Sequence, residues 1–297
     1  MNAKSSIDAF GAVSLILFAA LMGFNQVVIR VVNDGLQPVF FAGLRSAGAV
    51  FCVGLWMWAR GIRMRPMPGT WGVGIAVGLL FSAEFVFLFL ALDLTTVSRT
   101  AVIFYSMPIW MALGAHFFID GERMTRLKAA GQALAFSGVA LAILDRPDSG
   151  AASLAGDVCA LGAAIGWAGS ALMVRATALR EESPEMQHMW QISVSAAVLL
   201  ILAPLFGPLI RDLQPIHLWG LAFQIVIVVS TSFIFWLWLL SIYPPSSVAA
   251  FGFLGPIFGV LMGWLLLDED VSIRIWGSLA LVALGLALIN RPVRRAV

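Results

Sequence analysis

Residues 98–120 read SRTAVIFYSMPIWMALGAHFFID, and residues 246–268 read SSVAAFGFLGPIFGVLMGWLLLD. Each run is almost continuously apolar over the roughly 20 residues that a helix needs to cross a bilayer. Each carries a proline at the same place, Pro108 and Pro256, followed by Ile109 and Ile257, and each ends on an aspartate, Asp120 and Asp268. Ser98, Ala101 and Leu113 recur as Ser246, Ala249 and Leu261 at the same shift of 148 residues. The shift extends outward. Trp71, Gly72, Ser82, Phe85 and Phe87 return as Trp219, Gly220, Ser230, Phe233 and Phe235, and Arg126 returns as Arg274. Nearer the start of each half the shift is 145, pairing Gly11 with Gly156 and Arg30 with Arg175. A long run of matches at constant offset marks a repeat, with one copy in 1–147 and the other in 148–297.

Composition says what kind of repeat this is. The chain is 61% hydrophobic and 11% charged, with a mean hydropathy of +0.95. A soluble domain carries about 25% charged residues. Breaks of Pro, Gly and charge divide the chain into ten apolar segments near 9–32, 38–60, 69–92, 96–119, 126–144, 154–177, 186–210, 216–241, 246–267 and 273–291. The first is too long, and too closely followed by others, for a cleaved signal peptide. The segments do not alternate polar and apolar residues, so they are helices and not barrel strands. The expected fold class is all-α, integral to the membrane, with ten transmembrane helices. Small residues four apart (Gly74 and Gly78, Gly162 and Gly166, Gly255, Gly259 and Gly263) let such helices approach closely.

Several function classes drop out. No dense Lys/Arg run with polar loops offers a nucleic-acid footprint. No Walker A lysine motif follows Gly72-Val73-Gly74, so this chain does not hydrolyse ATP, and nothing points to an ATPase subunit as partner. Cys52 and Cys159 lie in apolar stretches without metal-ligand spacing and read as small buried hydrophobes. No catalytic constellation, metal site or cofactor motif is found. An intramembrane enzyme on lipid-linked substrates would need a nucleophile or metal cluster at one interface, and neither is apparent.

Orientation follows from charge. With the N-terminus inside and ten spans, Lys4, Arg60, Arg63, Arg65, Arg123, Arg126, Lys128, Arg175, Arg180, Arg291, Arg294 and Arg295 face the cytoplasm. Only Arg30, Arg99, Arg146, Arg211 and Arg274 face out, which satisfies the positive-inside rule with both termini cytoplasmic. Five helices per half is an odd number, so the second copy is inverted relative to the first. Inverted repeats place a binding site near the midplane at the repeat interface and permit alternating access. The expected partners are the lipid bilayer and a small-molecule substrate.

The chain resembles the EamA-type branch of the drug/metabolite transporter superfamily. The resemblance is carried by Ser106-Met107-Pro108-Ile109-Trp110 leading to Asp120-Gly121-Glu122-Arg123, and by Gly131 to Gly138. Leu254-Gly255-Pro256-Ile257 leading to Asp268-Glu269-Asp270, Arg45, and Trp167-Ala168-Gly169 complete it. Met22 stands opposite Trp167, so the tryptophan signature occurs once, and Met189-Trp190-Gln191 occupies the place where a second Arg45 would fall. The resemblance implies a plasma-membrane (inner-membrane) exporter of metabolites. It also implies a central cavity lined by helices 1, 3, 4, 6, 8 and 9. The aromatic inner helices are most similar to the amino-acid exporters, the aromatic type included. A passive facilitator is the alternative.

Polar groups at membrane depth are the candidate site residues. Glu84 is either a ligand for a substrate amine or a proton site, or else it forms a structural ion pair with Arg45 or a nearby donor. Arg45 itself reads as half of a structural or gating pair. Asn25 and Gln26 either bind substrate or join helices. Phe81, Ser82 and Phe85 share a helix face, and Ser230, Phe233 and Trp236 repeat the arrangement; such stripes serve a ligand or the packing core. Tyr105 and Phe253 are symmetry mates, and Trp167 either stacks on substrate or packs. Pro108 and Pro256 are candidate hinges. His116, four residues before Asp120, reads as a local hydrogen-bonding group, and His188 as structural.

Overall fold

The structure, a computed structural model, describes residues 7–119, 124–145, 153–243, 248 and 250–289. Eight helices are long and apolar enough to cross a membrane: α1 (Ala9–Gly35), α2 (Pro38–Ala59), α3 (Trp71–Leu94), α4 (Val97–Phe118), α5 (Arg126–Leu144), α6 (Leu154–Ala176), α7 (Pro184–Phe206) and α8 (Pro215–Ile242). Two shorter apolar helices follow, α9 (Phe251–Leu267) and α10 (Ile273–Ile289). Among the described residues the only strand-like pairing is an isolated bridge between Leu36 and Ile210.

Local chemistry sets the helix starts. Asp8, Gln37, Thr96, Thr125, Ser153 and Ser183 each accept a first-turn backbone N–H through the side chain. Pro38 and Pro184 stand in first turns, where a missing N–H costs nothing. α1 runs past residue 32 to Gly35, because no breaker intervenes. The last turn of α7 tightens to a 3-10 form at Ala203–Phe206, where Pro204 lacks a donor, and Gly207 ends the run at φ 104.

Three interruptions matter for the interior. α4 loses regular helix at Tyr105 and Ser106 and resumes at Met107, with Pro108 in the new first turn. Its repeat mate α9 opens as a 3-10 turn, and regular helix begins only at Leu254, just before Pro256. α8 contains a π segment, Gln224–Thr231, in which the Ser230 and Thr231 hydroxyls donate to the Ile225 and Val226 carbonyls.

The packing map has a regular form. α3 packs on α6, and α1 on α8; α4 packs on α6, and α1 on α9; α3 packs on α7, and α2 on α8. α2 meets α7, α4 meets α9 and α5 meets α10. Exchanging each helix for the one five places away leaves these largest contacts unchanged, whereas the lesser α2–α3 and α1–α3 contacts have no comparable mate. The helices therefore fall into two interlocked sets, α3, α4, α6 and α7 against α8, α9, α1 and α2. The glycines noted in the sequence lie at these crossings. Gly74 and Gly78 admit Trp190 and Val194 of α7, and Gly166 faces the Glu84 backbone, where an added Cβ would come within 3.1 Å.

The α5–α10 crossing is backbone against backbone. A Cβ on Gly131 would lie 2.8 Å from the Gly285 carbonyl oxygen, and one on Gly285 would lie 2.6 Å from Ala135 Cβ. Gly131→Ala is expected to push α10 outward and cost about 1–2 kcal/mol. A lowered thermal unfolding midpoint in detergent would show it; an unchanged midpoint would mean the crossing relaxes freely.

Candidate functional site

One end of the bundle, the Arg99 end, gathers the last turns of α1, α3, α5 and α9 and the first turns of α4, α6 and α10. A cavity of about 410 Å³ opens there, walled by Arg30 and Asp34 of α1, Asp93 of α3, Thr95 and Thr96 before α4, and Leu267 and Glu269 after α9. Two charge clusters frame it. In the first, the Arg99 guanidinium donates to both Asp157 carboxylate oxygens, Nε at 3.1 Å and Nη2 at 2.7 Å. It also donates to the Asp145 and Ala142 carbonyls at 2.8 and 2.6 Å. Arg99 is 3% and Asp157 0% exposed. Ser272 donates to the Asp145 carboxylate, and Arg274 lies 3.6 Å from it, so α4, α5, α6 and α10 are tied at one point. In the second, Arg211 spans the Asp93 carboxylate at 2.6 and 2.9 Å and reaches the Asn33 carbonyl. That hydrogen bonding raises the Arg211 pKa above its ordinary value.

Glu269 links the two helix sets across the cavity. Val97 N–H donates to Oε1 at 2.6 Å, and Ser98 donates to Oε2 through N–H at 2.9 Å and through its hydroxyl at 2.6 Å. The carboxylate therefore caps the positive end of α4 from the end of α9. At the opposite end, Tyr243 donates to Asp8, and Glu182 accepts from Met67 N–H and the Thr70 hydroxyl.

The residues singled out in the sequence do not form a single lining. Phe85, Tyr105, Trp167 and Phe253 join one central apolar cluster, and the Tyr105 ring lies against Gly255. Phe81 packs in a second cluster beside Trp190. Trp236 belongs to a third and stacks on Phe18 at 4.9 Å. The Ser82 and Ser230 hydroxyls donate to carbonyls of their own helices. Asn25 Oδ1 accepts from Gln224 Nε2, joining α1 to α8, while Gln26 Oε1 is buried without a partner beside Gly259.

Arg45 and Glu84 are both 2% exposed, yet no ion pair joins them. The guanidinium instead lies 3.8 Å over the Phe85 ring, and Glu84 Oε2 has no hydrogen-bond partner. His188 stacks on Phe233 at 3.9 Å, with Nε2 3.3 Å from the Val229 carbonyl. His116 Nδ1 accepts from Met124 N–H, whereas Asp120, Ser246 and Ala249 lie outside the described residues. Cys52 and Cys159 are free thiols and only half-buried, short of the burial their apolar setting suggested, although Cys159 does pack against the central cluster. No group of three metal-ligating side chains occurs among the described residues.

Sequence reasoning missed Asp157, Glu269 and Gln224. Asp157 had a usable signal, since it is ionisable and sits inside an apolar segment, as Glu84 does. Glu269 had none, because a run of three acidic residues reads first as a solvated loop.

The comparisons agree with this architecture. The EamA-like transporter family matches in two copies, over residues 9–144 and 154–291. A "Probable amino-acid metabolite efflux pump" of Escherichia coli (strain K12) is 26% identical over 269 residues, covering 86% of this chain and 87% of its own. The "Uncharacterized transporter YoaV" of Bacillus subtilis (strain 168) is 22% identical, covering 92% and 94%. A solved structure shares the fold with a TM-score of 0.64 at 18% identity, over 91% of this chain and 96% of that one. With the family model matched in both halves, this multi-pass membrane protein belongs to the EamA-like transporter family.

Proposed function

We propose that this transporter exports amino acids or related small metabolites from the cytoplasm by alternating access, as a ten-span inverted five-plus-five repeat. The observation that carries the reading is the set of largest helix–helix contacts, which maps onto itself when each helix is replaced by its repeat mate. A bundle built this way has two equivalent halves and so two equivalent ways to open. The Arg99 end is then the outer face, both termini are cytoplasmic, and the membrane is the plasma (inner) membrane, in keeping with the Lys/Arg distribution. The efflux-pump relative supports amino acids as the substrate class.

In this reading the substrate lies between the interrupted helices. Tyr105 and Phe253 stand at the two breaks, next to Pro108 and Pro256, which act as hinges. In transporters with inverted repeats, the ends of such broken helices are where substrate is held. Phe85 and Trp167 supply apolar surface for a side chain, and Gln26 supplies an unpaired amide oxygen for an ammonium group.

Purified protein in proteoliposomes, given a panel of radiolabelled amino acids with and without a proton gradient, tests this. At least one amino acid should accumulate, and Trp167→Ala should lower its initial rate about tenfold, as loss of ~1.4 kcal/mol of binding would. If none of the panel moves under any gradient, amino-acid export is lost. Equilibration that never exceeds the outside concentration would favour a passive facilitator.

A further inference from the structure

The export path above leaves three ionisable side chains unused, buried where α2, α3, α7 and α8 meet. Arg45 comes from α2, Glu84 from α3 and His188 from α7. The Arg45 guanidinium lies over the ring of Phe85, the next residue to Glu84, and His188 stacks on Phe233 of α8. Yet Arg45 Nε and Nη2 and Glu84 Oε2 are buried with no hydrogen-bond partner. The guanidinium rests instead on the Phe85 and Phe89 rings, 3.8 and 5.1 Å from their centroids. Donors on one side and an acceptor on the other are thus withheld from each other inside an apolar interior.

The position of the pair gives this meaning. α2 and α3 belong to different helix sets, so Arg45 and Glu84 face one another across the surface on which the sets would slide. Neither residue has a charged counterpart in the other repeat. Glu84 falls opposite Ser232, and the Arg45 position falls in Met189-Trp190-Gln191. The substrate path can be symmetric, whereas this pair occurs once.

We propose that Glu84 binds the coupling proton of transport, and that Arg45 is the cation that replaces that proton when it leaves. In one state, that with Arg45 stacked on Phe85 as observed, the Glu84 carboxyl carries the proton. In the other, the Oε2–H bond breaks, the proton passes to water on one side of the membrane, and the carboxylate accepts hydrogen bonds from Arg45 Nε and Nη2. Arg45 keeps its charge throughout, so one proton moves per cycle. Among the described residues no other charged group reaches this depth on the elements packed against α3, and the His188 imidazole of α7 is the further titratable group there. Arg30 and Asp34 of α1, Arg99 of α4 and Asp157 of α6 lie at the Arg99 end. Arg175, Arg180, Glu181 and Glu182, together with Glu185 of α7, lie at the other. Gly166 of α6 meets Glu84 only through its backbone.

The proposal rests on the transporter reading but not on the substrate class, and its first test uses no substrate. Infrared difference spectra of the full-length protein in lipid vesicles, recorded across a pH titration, should contain one protected carboxyl C=O band that titrates. Glu84→Gln should abolish the band, and Glu84→Asp should move it. For transport, radiolabelled L-phenylalanine is the probe. The wild-type rate should vary by up to about tenfold per pH unit, the one-proton limit, and that of Glu84→Gln by less than about twofold. A titrating band that persists in Glu84→Gln, no titrating band in the wild type, or a wild-type pH profile in Glu84→Gln overturns the proposal. A wild type that moves no L-phenylalanine counts against the amino-acid reading alone, and the infrared result then decides. Should Glu84→Gln fail to fold, the shift of the band in Glu84→Asp decides.

Discussion

Asp157→Ala should be the most damaging single substitution in the described structure, lowering stability by about 3–5 kcal/mol, the cost of stranding one partner of a buried ion pair. The reason lies in what stays behind. Arg99 would keep its charge, remain 3% exposed, and retain only the Ala142 and Asp145 carbonyls and a distant Asp145 carboxylate at 3.9 Å. Because the pair ties α4, α5, α6 and α10 together, the loss should appear as reduced yield and a lower unfolding temperature of the whole protein, not as local fraying. Asp157→Asn should be milder, since it keeps acceptor geometry for Nε. The double variant Arg99→Met with Asp157→Leu should recover most of the loss, because it removes both desolvated charges at once. If Asp157→Ala melts with the wild type, the network does not hold the four helices together.

How much of this was legible beforehand depends on the kind of signal. The apolar runs and their offset were readable because hydropathy and repetition are properties of the chain itself. That a contact of α3 with α6 should have a mate in α1 with α8 follows from the repeat, but the contact itself came from the structure. Cavity lining was not legible in the same way. In a membrane, both the lipid face and the core face of a helix are apolar, so periodicity does not tell Phe81 from Phe85 or Trp236 from Trp167. Hydroxyls were misleading for a related reason. In a dry interior Ser82 and Ser230 satisfy themselves on their own helices, and Ser230 does so through a π turn that no residue pattern announces. Arg45 and Glu84 were found correctly as buried charges, but the expected pair is open, because whether two such groups touch depends on the helix arrangement and not on sequence.

Glu269→Ala should shift the balance between access states more than any other substitution at the mouth of the cavity. Three hydrogen bonds hold this carboxylate to Val97 and Ser98, and with Glu269 partly exposed their joint worth is about 2–3 kcal/mol. If they exist in only one access state, deleting them changes the ratio of states by roughly 30- to 150-fold. The direction is fixed by the structure. Glu269 draws the α9 end onto the start of α4, so its removal should open the Arg99 end. Thr96→Cys, placed at the wall of the cavity in a Cys52→Ser, Cys159→Ser background, gives the readout. In the Glu269→Ala protein this cysteine should react at least about tenfold faster with a membrane-impermeant maleimide. Transport should slow, because a bundle biased open on one side returns rarely. Ser98→Ala is the informative contrast, since it removes one hydroxyl and leaves both backbone bonds, and so should have a small effect. Equal labelling in Glu269→Ala and wild type would mean that Glu269 caps α4 in both states, and the link would then be a helix cap and not a gate.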